Sequence, residues 1–179
     1  MLPEIMGMPP KSKFSAEILQ AQAAFAGGAA DYERIRLMVD SVVPFNNHVG
    51  VRVTELAHAR AVAEVADRPE MRNHLGTVHA GAMFLAAEVA CAGAFSGAVA
   101  RRFAQVQSFV LRESKVSFLR PASGRIRAIG TVDEAVVESI LAGTGDSRHE
   151  MTGKALLHDD QDTLVGKVDL DYVCWMKGA

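Results

Sequence analysis

Apolar residues recur at two different spacings along this chain, and the first spacing is helical. Residues 15–25 carry apolar side chains three and four positions apart, which predicts a short amphipathic helix. A second helix is expected after Asp31, which is suited to cap it, and Pro44 should end it. We therefore divide the chain into a tail with a helical extension, residues 1–45, and a main domain, residues 46–179. The extension is expected to form a lid or arm on that domain.

From residue 51 the apolar positions alternate, which is the spacing of half-buried strands. Residues 51–56 and 60–65 predict a hairpin around a short turn. Further along, Asp133 is suited to cap a short helix that stops near Gly143. Other runs predict strands that pair through short turns, 114–119 with 125–132 and 149–158 with 163–175. This order of elements predicts an α+β fold in which an antiparallel sheet curls around one helix.

The predicted central helix is the least charged part of the chain, Val78–Ala100, whose ionisable side chains are those of His79, Glu88 and Cys91. Its length would allow it to cross a bilayer. The segment is rich in Ala and Gly, however, and an acid at mid-span costs roughly 2.5–3.5 kcal/mol there. A helix that is apolar on all sides is otherwise wrapped by protein, and its small residues would let strands approach closely. We therefore expect a core helix and no membrane span.

The overall composition is that of one ordinary soluble domain and excludes several classes of function. The 179 residues are 49% hydrophobic and 22% charged, with a net charge of −2. Lys and Arg are scattered, so nucleic acid is not an expected partner. Cys91 and Cys174 have neither the spacing of a metal site nor that of a disulfide framework. The first ten residues contain an early acid and three prolines without an apolar core, so we expect no secretion signal and a cytoplasmic protein.

Glu88 is the residue that first suggests chemistry. An ionised carboxylate on an apolar helix is strongly disfavoured unless it is paired or reaches water. One interpretation is therefore an ion pair with Arg120 or Arg125 from the sheet. The other interpretation is a site that uses the carboxylate.

A second feature of the same helix favours the site. Gly81 lies seven residues before Glu88, so both residues lie on nearly the same helix face and should line one cleft. If the helix begins near Val78, the backbone N–H groups of Ala80 and Gly81 lack intrahelical partners and lie at the positive end of the helix dipole. Such a terminus can polarise a carbonyl while a carboxylate acts as nucleophile or as general base on water. The arrangement suits acyl transfer to water.

The loop before the helix adds two candidate polar residues. The Asn73 amide is suited to orient a carbonyl or a water, and the His79 ring is suited to hold the loop by hydrogen bonding. Both residues are equally suited to form turns or helix caps. Both interpretations stay open at the level of the sequence.

Two motifs closely resemble those of hotdog-fold thioesterases of the phenylacetyl-CoA and 4-hydroxybenzoyl-CoA type. The first is the segment 73–88, NHLGTVHAGAMFLAAE, and the second is the segment 117–124, SFLRPASG. The residues of the first motif that fall in register with the signature are Asn73, Gly76, His79, Gly81 and Glu88. The resemblance extends over roughly residues 44–175.

This resemblance implies a homodimer or homotetramer that hydrolyses an acyl-CoA thioester at a subunit interface, with neither a metal nor a cofactor. Glu88 would be the nucleophile or general base, and the amides of Ala80 and Gly81 would polarise the carbonyl. The family usually has Gly where this chain has Ala80, and Ala would be strained there if the position needs a positive φ. The implied site comprises catalytic residues Glu88, Asn73, Gly81 and His79, and substrate-binding residues Ala80, Gly76 and Arg120.

Two other functions on the same fold remain open. One is a non-catalytic module that binds acyl-CoA, in which Ala80 has spoiled the donor geometry. The other is an acyl-thioester dehydratase or hydratase, since His74 and Glu88 have a spacing similar to that of the His and Glu of acyl-carrier-protein dehydratases. The proline-rich turn usual between those two residues is absent here.

Overall fold

The first two elements of the described residues are consecutive helices. The computed structural model describes residues 30–178, so the helix predicted at 15–25 lies outside the described residues. Helix α1 is Tyr32–Val42, and the Asp31 side chain caps it by accepting a hydrogen bond from the Arg34 N–H at 3.0 Å. Helix α2 is Pro44–Val49. Pro44 follows the end of α1 as expected, and it also begins α2, because its fixed φ suits the first turn of a helix.

Six antiparallel strands form one sheet in the order β1-β2-β4-β5-β6-β3. The strands are β1 Val51–Ala57, β2 Arg60–Val65, β3 Val106–Phe118, β4 Ile126–Val132, β5 Ser147–His158 and β6 Leu164–Met176. The predicted hairpin is present as β1 and β2, and their register aligns Val51 with Val65. Strand β3 begins eight residues earlier than the run predicted from residue 114. The predicted pairing of this run with 125–132 is wrong, because β3 pairs with β6 while β4 lies between β2 and β5. Strand β3 lies at one edge of the sheet, with β1 at the other.

Helix α3, Ala80–Ala98, lies across the sheet and forms the core. It is long and apolar enough to span a membrane by length and composition, but two-thirds of its most apolar window is buried inside the protein. Glycines on the sheet allow its close approach: a Cβ on Gly130 would lie 2.6 Å from the Cys91 nitrogen of the helix. The expected core helix wrapped by an antiparallel sheet is confirmed, and with it the α+β hotdog fold.

Polar contacts join α1 to the outer edge of β1. Asp40, which is 8% exposed, accepts a hydrogen bond from the Val53 N–H at 2.7 Å and pairs with Arg52 at 2.7 Å. Arg36 donates to the Val53 carbonyl oxygen at 2.6 Å. Ile35 is buried beneath the same helix. The extension predicted as a lid or arm therefore includes a helix that is fixed on the sheet edge.

Short elements complete the fold. Helix α4, Glu134–Ala142, begins at the expected Asp133 cap and ends at Gly143. Short 3₁₀ helices at Pro69–Met71 and Ala100–Gln105 precede and follow α3. The division of the chain at residue 45 stays a prediction.

Candidate active site

The loop that leads into α3 is folded around the side chain of Asn73. The Asn73 Oδ1 accepts hydrogen bonds from the Leu75 N–H at 2.9 Å and the Thr77 N–H at 3.2 Å, and Nδ2 donates to Thr77 Oγ1 at 2.8 Å. Gly76 closes the turn with a φ of +77°, a conformation that favours glycine. In this structure the Asn73 amide is used to hold the loop, and Gly76 supplies the turn.

The N-terminus of α3 is capped by His79. The His79 Nδ1 accepts a hydrogen bond from the Gly81 N–H at 2.9 Å, which requires the neutral ring with its proton on Nε2. Gly81 makes this approach possible, because a Cβ there would lie 3.1 Å from Nδ1. The His79 N–H donates to the Met71 carbonyl oxygen at 2.7 Å and ties the cap to the loop. The Gly81 N–H is therefore satisfied within the protein.

Ala80 is left as the donor at this helix end. It is the first residue of α3 and exposed, and its N–H has no partner among residues 30–178. Ala80 is not one of the residues with positive φ, so the Ala at this position carries no backbone strain. The free N–H lies at the positive end of the helix dipole. A carbonyl or anion can bind there.

The two sequence motifs meet at one open cavity of about 540 Å³, a volume typical of ligand sites. The first motif contributes Asn73 and Ala80 to its lining, and the second contributes Phe118, Leu119 and Arg120. Leu119 is 47% exposed, so apolar surface rims the cavity. Three predicted site residues, Asn73, Ala80 and Arg120, are therefore brought together at a single cavity.

The guanidinium groups of Arg120 and Arg125 differ in their surroundings. Arg125 pairs with Glu64 at 3.3 Å and with Asp160 at 3.5 Å. The Arg120 side chain forms no ion pair in the part of the chain that the structure describes. Neither guanidinium pairs with Glu88, so the structure does not support the interpretation of Glu88 as half of a salt bridge.

Glu88 lies on the face of α3 that the sheet leaves uncovered. Gly81 is exposed and Glu88 and Ala92 are half-buried along one stripe, whereas most of the helix is fully buried. Burial raises the pKa of the Glu88 carboxyl above its ordinary value. The carboxyl has no hydrogen bond or ion pair within residues 30–178. A carboxyl without a protein partner at a cavity is suited to exchange a proton with a bound ligand or water.

Glu88 lines a second, smaller cavity, between α1 and α3. Its residues include Met38 and Val42 of α1 and Asn46 of α2. Gly81 and Glu88 share a helix face, as expected, but in a single chain Glu88 does not line the cavity that contains Asn73 and Ala80. The prediction of a single cleft is therefore wrong for one chain, which has two cavities. Helix α1 packs beside Glu88 and encloses the carboxyl in a cavity apart from the one at Ala80.

Other candidate chemistry is limited in the described chain. No group of three His, Cys, Asp or Glu side chains is placed to hold a metal within residues 30–178. His74 is exposed and lines neither cavity. The sequence interpretation missed the contribution of Asn46 and α1 to the surroundings of Glu88. The apolar stripe of α1 predicts that this helix packs against the domain, but it does not reveal that the helix packs beside Glu88.

Solved structures of other proteins share this fold at low sequence identity. A probable thioesterase of unknown function from Pseudomonas aeruginosa is 22% identical, with a TM-score of 0.64 over 80% of this chain and 95% of that one. A protein of unknown function from Chlorobaculum tepidum is 18% identical, with a TM-score of 0.66 over 82% and 94%. A mutant of the phenylacetic acid degradation protein PaaI from Thermus thermophilus is 20% identical, with a TM-score of 0.55 over 75% and 99%.

These likenesses show that the chain has the hotdog fold. The chain belongs to the family described as a domain of unknown function, DUF4442, whose match spans residues 32–174. No curated protein matches the chain by sequence.

Proposed function

We propose that this protein is an acyl-CoA thioesterase that works in the cytoplasm as a homodimer or larger homo-oligomer. The observation that carries the proposal is the free N–H of Ala80 at the start of α3, in a cavity that also holds the unpaired Arg120. A helix N-terminus carries roughly half a positive charge. It can stabilise the negative oxygen that develops when a thioester carbonyl is attacked.

Arg120 suits the other end of such a substrate. Coenzyme A carries phosphates, and an unpaired guanidinium at an open cavity binds phosphate oxygens through charge-assisted hydrogen bonds. The exposed apolar rim formed by Leu75, Phe118 and Leu119 suits the uncharged part of the CoA arm. The cavity therefore matches a ligand with a carbonyl at one end and an anionic group at the other.

Glu88 would supply the base. Its ionised carboxylate removes a proton from water as the water oxygen attacks the thioester carbon. The carbon–sulfur bond then breaks, and the Glu88 carboxyl returns the proton to the leaving thiolate. The products are a carboxylic acid and the free CoA thiol. Direct attack by the carboxylate, with an anhydride hydrolysed afterwards, uses the same residue.

A second copy of the chain would bring the two halves of the site together. Glu88 and Ala80 line separate cavities in one chain, so a complete centre requires another surface beside α3. Strand β3 lies at the sheet edge and has no strand on its outer side among the described residues. Pairing of the β3 strands of two copies would place the uncovered faces of their two α3 helices near the subunit interface.

The free N–H can be tested by Ala80→Pro. Proline lacks the N–H but fits the first position of a helix, and the preceding residue is already extended, with φ −67° and ψ 134°. We expect thiol release from acyl-CoAs to fall about 10²- to 10³-fold, which is typical of the loss of one oxyanion donor. Glu134→Pro is the matched control, because Glu134 is the first residue of α4 and its cap, Asp133, is also extended.

The base is tested in the same assay with Glu88→Gln, which should abolish release while the protein stays folded. Glu138→Gln, on an exposed position of α4, is its control. Unchanged release in Ala80→Pro would remove the helix terminus from the mechanism. Unchanged release in Glu88→Gln would remove the carboxyl.

A non-catalytic acyl-CoA-binding module is the second candidate, and two contacts favour it. The Gly81 N–H is satisfied by His79, and the Asn73 amide is satisfied within its loop, so fewer donors face the cavity than the resemblance implies. Such a module would bind acyl-CoA in a titration without releasing thiol. Glu88-dependent release excludes it.

A further inference from the structure

The second cavity, between α1 and α3, is a built feature of one chain. Its roof is α1, which Asp40 and Arg36 hold on the β1 edge through contacts of 2.7 and 2.6 Å to Val53. Its floor is α3. Because both walls are fixed by the fold, the cavity does not depend on a second copy of the chain.

The size of this cavity limits what it can contain. Its volume is about 180 Å³, and an apolar cavity of about 150 Å³ is known to bind benzene. Its walls are mostly aliphatic, with Met38 and Val42 from α1 and Val89 from α3. A benzene ring or a short aliphatic chain fits. A long fatty acyl chain does not.

Asn46 gives the cavity one buried polar group beside the carboxyl. The residue is 7% exposed, and its backbone is held by a hydrogen bond from the Gly50 N–H to its carbonyl oxygen at 2.8 Å. Asn46 lines the cavity, and its side-chain amide forms no hydrogen bond within residues 30–178. The amide is not among the fully buried groups left without a partner, so it is accessible from the cavity, where a ligand oxygen can take the place of water as its partner.

The charge of Glu88 restricts that ligand oxygen further. An anionic group in the same small cavity would be repelled by the ionised carboxyl. A hydroxyl or carbonyl oxygen is neutral, and the Asn46 amide can donate to either and accept from a hydroxyl. The cavity therefore matches a compact apolar group that carries one neutral oxygen.

We infer that this cavity binds the acyl group of the substrate, and that the protein selects a compact acyl group with a neutral hydroxyl or carbonyl oxygen held by Asn46. The inference rests on the proposed function for the position of the thioester, which would lie beside the half-buried Glu88. The acyl group then extends beneath α1 towards the buried Asn46. Val42 and Asn46 become the residues that determine specificity.

The cavity is tested without hydrolysis by calorimetric titration of the full chain with phenol and with benzene. We expect phenol to bind about tenfold more tightly than benzene, the effect of one hydrogen bond. Asn46→Leu should remove that preference, and Val42→Phe, which fills the cavity, should remove binding of both probes. Leu37→Phe introduces the same side chain on the exposed face of α1, where Leu37 is 53% exposed, and should leave binding unchanged.

Hydrolysis gives the second test, by comparing kcat/KM for hexanoyl-CoA, hydroxyhexanoyl-CoA and palmitoyl-CoA. The wild type should favour the hydroxylated short chain, and Asn46→Leu should lower that preference roughly tenfold or more. If no CoA thioester is hydrolysed but phenol binding depends on Asn46, the proposed function fails, and the conclusion that the cavity binds a compact group through Asn46 is kept. If release is normal but both probes bind Val42→Phe as well as wild type, or the Asn46 variant keeps the preference for phenol, the inference is overturned.

Discussion

Glu88 should be a residue that lowers the stability of the protein at neutral pH. Burial raises the pKa of its carboxyl in the folded protein from an ordinary value of 4.5, and no partner within residues 30–178 offsets that burial. The folded state therefore holds this proton more tightly than the unfolded chain. Stability is highest below the unfolded pKa and falls as the pH rises through the window between the two pKa values.

The magnitude follows from the linkage relation. Each unit by which the pKa is raised corresponds to about 1.36 kcal/mol of lost stability at a pH above both values. In a chain of this length, 1 kcal/mol changes Tm by about 2–4 °C. Glu88→Gln keeps the shape of the protonated acid. It should thus raise Tm at pH 7 by roughly 3–5 °C for each unit by which folding raises the Glu88 pKa. The partial exposure of the side chain reduces this effect somewhat.

Thermal unfolding of wild type and Glu88→Gln between pH 4 and pH 8 measures this directly. The two Tm values should coincide near pH 4 and separate as the pH rises. Glu138→Gln, on the surface of α4, should show no such separation. A Glu88→Gln variant that is less stable than wild type at pH 7, or a difference that does not change with pH, would refute the conclusion that the carboxyl is buried unpaired.

Further predictions concern the close contacts and the charged groups. Gly130→Ala should destabilise the protein by about 1–3 kcal/mol or more in denaturant unfolding, because its Cβ would meet the backbone of α3; a loss under 0.5 kcal/mol would mean that the helix shifts freely. Asp40→Ala should cost about 1–3 kcal/mol, since it leaves the buried Val53 N–H unpaired, and unchanged unfolding would show that α1 is not fixed by this contact. Arg120→Ala should raise KM for an acyl-CoA but not for the matching acyl-pantetheine, which lacks the nucleotide phosphates; equal increases would assign Arg120 another role. Size measurement should give at least a dimer, and an active monomer would contradict a centre shared between copies.

The elements with strong local signals were predictable from the sequence. Asp31 and Asp133 mark helix starts because a carboxylate oxygen accepts from the free N–H groups of the first turn. Strand β3 was predicted only in its second half. It is an edge strand whose residues are mostly half-buried or exposed on both faces, so it lacks the alternation that reveals a strand with one face in the core.

The candidate site was predictable as far as one helix defines it. The common face of Gly81 and Glu88 follows from 3.6 residues per turn and needs no tertiary information. The separation of Glu88 from the cavity at Ala80 depends on where α1 docks, which is a contact between distant segments. The same holds for the burial of Asn46. Nothing in the residues next to Asn46 in the sequence distinguishes its amide from that of an ordinary surface asparagine.

The attachment of α1 to β1 also limits how the protein can associate. A sheet with two open edges can add strands at both ends and grow without limit, as fibres do. Here Asp40 and Arg36 occupy the N–H and carbonyl oxygen of Val53, so a strand of another chain could not form hydrogen bonds with that residue. Association through the β3 edge alone would then end after a single two-fold pairing. The helix that encloses Glu88 would thus also hinder the growth of the sheet at the β1 edge.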